Sequence, residues 1–136
     1  MITKEQLRKI LANPEGYDIE MTTSTTNTDK FCQAICAFSN DLPGSGKNGY
    51  LILGAKDDGS LSGLKVDDAL MLKMTNIRTD GNILPQPVMT VERFVLEEGE
   101  LLVVEVRPSE FPQRTNRGTG GTSQKYRIGS RRKDTD

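Results

Sequence analysis

Three groups of residues in this 136-residue chain have types and spacings that could do chemistry. The first is Asp57-Asp58, two carboxylates in the turn Lys56-Asp57-Asp58-Gly59-Ser60, directly after the apolar run Tyr50-Leu51-Ile52-Leu53. An unbroken apolar run of this length marks a strand buried on both faces, and the Asp-Gly pair marks a tight reversal. The carboxylates then stand at the C-terminal end of a central strand, the edge at which open α/β sheets usually hold their chemistry. Read without chemistry, the same pair simply serves the turn. The second group, Gly44-Ser45-Gly46-Lys47, ends as a phosphate-binding loop does. A Walker A loop, however, needs glycine where Asp41 stands, Ser or Thr where Asn48 stands, and a preceding strand rather than a helix, so ATP binding is not expected. The third group is Cys32 and Cys36. No histidine exists in the chain to complete a zinc site with them, and two reduced, buried thiols behaving as small hydrophobes are expected.

Charge supplies a fourth signal, one that the near-neutral total of -1 conceals. From Arg107 onward the chain holds eight basic residues against three acidic ones, a balance of +5, while the remainder carries ten and sixteen, a balance of -6. Arg114, Arg117, Lys125, Arg127, Arg131, Arg132 and Lys133 are the candidate contacts to a phosphate backbone. A solvated tail kept soluble by its charge is the plainer alternative.

These groups need a scaffold, and the pattern supplies helices and strands in alternation. Thr3 to Ala12 reads as an amphipathic helix with a Thr3/Gln6 capping box and a Leu7, Ile10, Leu11 stripe, ended by Asn13-Pro14. Tyr17 to Thr22 reads as a strand, followed by the polar run Thr22-Thr23-Ser24-Thr25-Thr26-Asn27 as a surface loop. Phe31, Ala34, Ile35 and Phe38 recur at helical spacing between Asp29 and Asn40. A further helix is predicted over Val66 to Thr79 with Asp67 and Asp68 at its start, then a hairpin of Val88–Leu96 and Leu101–Val106 across Glu97-Glu98-Gly99-Glu100. Pro108 to Ser123 reads as a long loop carrying Arg114 and Arg117, and Lys125–Ile128 as a closing strand. The predicted fold is α+β, a mixed sheet of five or six strands packed against two or three helices.

Several of these pieces together resemble the Schlafen/AlbA-like domain family. The resemblance is carried by Ala37-Phe38-Ser39-Asn40, Gly49-Tyr50-Leu51-Ile52-Leu53-Gly54, Asp57-Asp58-Gly59 and Gly63-Leu64. Glu15-Gly16-Tyr17-Asp18-Ile19-Glu20 is similar to the family's E-x4-E segment, and Lys125-Tyr126-Arg127-Ile128-Gly129-Ser130 to its closing strand. Two departures stand out: Met21-Thr22 follow Glu20 where the family commonly has an aromatic and a lysine, and the loop from Asn40 to Gly49 is expanded. The resemblance implies that Glu15, Glu20 and Asp57 match three acids that form a metal-dependent RNA-cleaving site in some members. Three carboxylates are a hard-oxygen set suited to Mg²⁺ or Mn²⁺. Asp58 or Asp18 is an alternative third acid.

The resemblance further implies a nucleic-acid-binding module, more DNA than RNA, within a transcriptional regulator or RecG-type helicase-related protein. A divalent-metal-dependent endoribonuclease and a protein-interaction domain are the alternatives, and for this domain alone enzymatic activity is the less expected. Residues 1–130 are expected to form one domain, with 131–136 opening a linker to a further C-terminal region. No apolar run approaches the ~20 residues that cross a bilayer, and the N-terminus lacks the pattern of a signal peptide, so a cytoplasmic protein is expected, and the resemblance implies a bacterial one. A homo-oligomer is compatible with this reading.

Overall fold

A computed structural model describes residues 1–15, 17–41, 44–109 and 112–115 of the chain. Among these residues, three helices, α1 (Lys4–Ala12), α2 (Thr28–Asn40) and α3 (Asp68–Asn76), accompany six strands, β1 (Asp18–Thr22), β2 (Gly49–Leu53), β3 (Ile83–Leu84), β4 (Met89–Leu96), β5 (Gly99–Val106) and β6 (Arg114–Thr115). The strands divide into a four-stranded sheet in the order β1-β2-β5-β4 and a two-stranded sheet of β3 and β6. β1 runs parallel to β2, with α2 as the crossover that a parallel pair requires, while β5 is antiparallel to both β2 and β4. This is the mixed α+β fold expected, its six strands shared between two sheets.

The apolar run Tyr50–Leu53 is buried throughout because helices cover both faces of the central strands. Leu51 and Leu53 point to one side with Leu102 and Val104, where Phe31, Ile35, Leu70 and Met74 of α2 and α3 close over them. Tyr50 and Ile52 point to the other side with Leu101 and Val103, against Leu7, Ile10 and Leu11 of α1. The period-2 alternation of β2 and β5 thus divides one sheet's side chains between two cores.

The helix ends are set by side chains. Thr3 and Gln6 form the predicted capping box on α1, and the Asn27 carboxamide oxygen accepts from the Lys30 amide at the start of α2. α3 is shorter than the spacing from Val66 to Thr79 predicts. Asp67 accepts from the Leu70 amide and so begins the helix at Asp68, and beyond Asn76 the Arg78 and Thr79 amides donate three residues back, to Thr75 and Asn76. Capping, rather than apolar periodicity, decides where the helix starts.

The stretch read as a long loop holds more structure than its composition suggests. β6 lies within it, paired antiparallel with β3, and Gln113 and Thr115 are buried. Asn40 at the end of α2 grips the Gln113 backbone on both sides, accepting from its amide at 2.7 Å and donating to its carbonyl at 3.1 Å. The predicted Lys125–Ile128 strand lies outside the described residues.

Candidate nucleic-acid interface and acidic depression

The turn after β2 assigns different duties to its two aspartates. Asp58 accepts from the Ser60 hydroxyl at 2.6 Å and the Ser60 amide at 2.9 Å, which holds its carboxyl below the usual range and commits it to the turn. Asp57 makes no such bond. It lines a depression of about 170 Å³ with Pro14, Ile19, Glu20 and Met21, where the C-terminal side of β1 meets this turn. The parallel pairing of β1 with β2 brings Glu20 and Asp57 to the same end of the sheet.

Glu15 stands beside Pro14, its amide bonded to the Asn13 side chain at 3.3 Å, but its side chain is exposed and does not line the depression. Asp18 lies elsewhere, on a different cavity between α1 and β1. Of the three acids that the resemblance implies, the structure brings Glu20 and Asp57 together and leaves Glu15 at the margin. The chemistry of the donors suits Mg²⁺ or Mn²⁺, but no group of three or more His, Cys, Asp or Glu stands ready to hold a metal ion among the described residues. Glu20 has a different partner: Lys30, in the first turn of α2, places its Nζ 3.2 Å from Oε2. Sequence reasoning missed this lysine. The signal was its place one turn past the loop that follows β1, which returns it to the strand end.

Of the predicted phosphate contacts, Arg114 is the one within the described residues. It is exposed on β6, anchored by the Asn40 clasp on its neighbour Gln113. Arg117, Lys125, Arg127, Arg131, Arg132 and Lys133 lie outside the described residues. Arg107 is exposed at the end of β5, its amide donating to the Val88 carbonyl at 2.9 Å.

The Gly44–Lys47 loop turns its amides inward. Asp41, in the left-handed conformation (φ 44°) at the end of α2, accepts from the Gly46 amide at 2.7 Å, the Ser45 amide at 3.1 Å and the Ser45 hydroxyl at 3.0 Å. A carboxylate of the chain itself fills the place that a phosphate would take in a phosphate-binding loop. The thiols are equally inert: burial, then the neighbouring Cys32, push Cys36 up to about 12.

The family model described as Schlafen, AlbA_2 matches residues 15–135. This chain belongs to that family. Among solved structures, the Schlafen AlbA_2 chain is similar to the N-terminal domain of a RecG-related protein from Nitrosomonas europaea, solved by NMR, at a TM-score of 0.62 and 22% identity. That likeness covers 96% of this chain and 91% of the other. It is also similar to the DIP2311 protein of Corynebacterium diphtheriae, at a TM-score of 0.51 and 18% identity over 82% of this chain and 27% of that one. No curated protein matches the sequence. The AlbA_2 fold is therefore shared at low identity. At Glu20 this member carries Met21-Thr22 next in sequence and receives its cation from α2 instead. No helix among the described residues is long and apolar enough to cross a membrane.

Proposed function

We propose that this AlbA_2 chain is a nucleic-acid-binding module that grips the phosphate backbone through the cations of its C-terminal segment. The observation that carries the reading is the charge division, +5 from Arg107 onward against -6 in the remainder, on a chain of this family. Cations collected on one segment of an otherwise acidic molecule attract a polyanion and orient it. Arg114, Arg117, Lys125, Arg127, Arg131, Arg132 and Lys133 make the contacts, and Arg114 is held on β6. The neighbour, an N-terminal domain of a DNA helicase RecG-related protein, supports a place within a larger helicase-related protein.

Fluorescence anisotropy with labelled duplex DNA and structured RNA, titrated across salt, tests the reading. Each phosphate contact contributes roughly 0.7–0.9 to the fall of log affinity with log salt. Replacing Arg131, Arg132 and Lys133 by alanine should reduce the slope by about 2–3 without changing sequence preference, because phosphate contacts position a protein but carry no base information. A salt-independent affinity rejects the proposal.

The depression shared by Glu20 and Asp57 favours one second reading, a metal-dependent RNA endonuclease. Robust Mn²⁺-dependent cleavage of structured RNA, abolished by Glu20→Gln, would make that reading primary. Weak or no cleavage is expected, since the third carboxylate stands aside from the other two.

A further inference from the structure

The cavity between α1, the start of β1 and the residues leading into β2 has no role in the reading above. It measures about 410 Å³, within the ~300–1,000 Å³ of small-ligand sites. Ile10 and the Tyr50 ring give it an apolar floor, and Tyr17, 48% exposed, stands at its edge. Lys9 and Lys47 line it from α1 and from the loop before β2, and Asp18 is the single carboxylate among its lining residues.

Its polar groups are already oriented. The Tyr50 hydroxyl donates to Glu105 at 3.0 Å, and burial followed by that bond pushes it up to about 12, so it stays neutral and fixed. Asn48 lines the same wall with its side-chain amide. Gln6 accepts from the Thr3 amide at 2.8 Å through its side-chain oxygen, which leaves its NH2 group as a donor on the α1 side. An aromatic face, the oriented Gln6 donor, the Asn48 amide and two flanking ammonium groups suit a planar heteroaromatic ring that carries an anion.

We infer that this cavity takes one unstacked nucleotide, the base stacked on Tyr17 and its phosphate met by Lys9 and Lys47. The inference rests on the proposed nucleic-acid function and adds to it: the phosphate-gripping segment holds the polymer, and the cavity selects strands that can present a free base. Unpaired bases stack on exposed aromatic side chains in a sequence-tolerant way, whereas a duplex keeps its bases stacked internally.

The test titrates the isotope-labelled chain with a 12-nucleotide single strand, a duplex of the same sequence, and AMP, reading amide shifts by NMR and affinity by anisotropy. The single strand should shift the Tyr17, Asn48 and Tyr50 amides. Tyr17→Ala should weaken it roughly 5- to 150-fold while leaving duplex affinity unchanged, and Tyr17→Phe should restore it. Single-strand affinity indifferent to Tyr17→Ala, or shifts that miss the cavity, overturns the inference. If AMP shifts the cavity amides but neither polymer binds, the polymer-binding function fails and the nucleotide site stands. If the duplex binds in a salt-dependent manner and neither the strand nor AMP reaches the cavity, the reverse holds. Silence from all three ligands overturns both.

Discussion

At Gly59 a side chain would collide with the carbonyl oxygen of Leu11, and the backbone there is left-handed at φ +87°. This glycine lets the Asp57–Asp58 turn rest on the end of α1, which in turn places Asp57 beside Glu20. Gly59→Ala is expected to cost at least about 2 kcal/mol, since the left-handed backbone alone costs alanine roughly 1–2 kcal/mol before the collision is counted. The midpoint of urea unfolding measures it. The Glu20–Lys30 pair should behave differently. Both side chains are well exposed, so Lys30→Ala should change stability by less than about 1 kcal/mol. Any larger effect of that variant belongs to function, and RNA cleavage assayed in parallel would reveal it. Metal is tested at the same residues. If Glu20 and Asp57 recruit Glu15 around Mn²⁺, the ion raises the melting temperature by binding the folded state preferentially, and the triple alanine variant loses that rise.

Among the elements, the end of α2 carries two connections that a helix prediction does not contain. Its last side chain, Asn40, clasps the Gln113 backbone, and the residue after it, Asp41, fills the amide nest of the Gly44–Lys47 loop. Asn40→Ala should cost about 1–3 kcal/mol, because the buried Gln113 backbone loses both its partners. Hydrogen exchange should locate the loss at residues 113–115. Even in the unaltered chain these amides should exchange before those of β5, since Ser39 Oγ and Gln113 Oε1 are buried at this junction with no hydrogen-bond partner. The nest makes a separate prediction. Inorganic phosphate should leave the Ser45 and Gly46 amide shifts unchanged, because displacing Asp41 would bring a second anion against the first. A clear saturable shift there would reassign the loop as a phosphate site.

Over the molecule as a whole, ionisable groups bound the pH range of stability from both sides. Asp58 is held below its ordinary value by Ser60, Glu98 by its 2.8 Å bond to Arg8, and Glu100 by the Val66 amide and then Arg93. A folded value below the unfolded one means that the stabilisation is complete above the unfolded values, ~3.9 for Asp and ~4.3 for Glu, and fades as pH falls through the folded ones. Cys36 and Tyr50 act in the opposite sense. Both are raised to about 12 from 9.0 and 10.0, so their neutral forms favour the fold up to those ordinary values, and the contribution is lost as pH climbs toward 12. The melting temperature should therefore be flat near neutrality, fall below about pH 4, and fall again above about pH 9. Cys36→Ala should flatten the alkaline limb and leave the acid limb unchanged.

The strands and helices were legible in the chain because their signals are local. Burial on both faces is written in Tyr50–Leu53 as an unbroken apolar run, the capping box in Thr3 and Gln6, and the hairpin in two β-rich runs around Glu97-Glu98-Gly99. The family too was legible, since its motifs lie in order along the sequence and its match spans residues 15–135. Pairings between distant segments were not. Which aspartate of the turn would be consumed by Ser60, which lysine would reach Glu20, and whether Asp41 would fill the glycine loop depend on side chains meeting within a few ångströms, a distance that residue spacing does not encode. β6 was hidden for the same reason: a two-residue strand has no periodicity of its own, and it exists because Asn40 and β3, both distant from it in sequence, hold it. The order of charged residues along the chain alone determined that the charge is divided between two parts of it. Only the fold decided that Glu20 and Asp57 share one depression while Tyr17, Lys9 and Lys47 border another, because adjacency across a sheet is set by strand order and register.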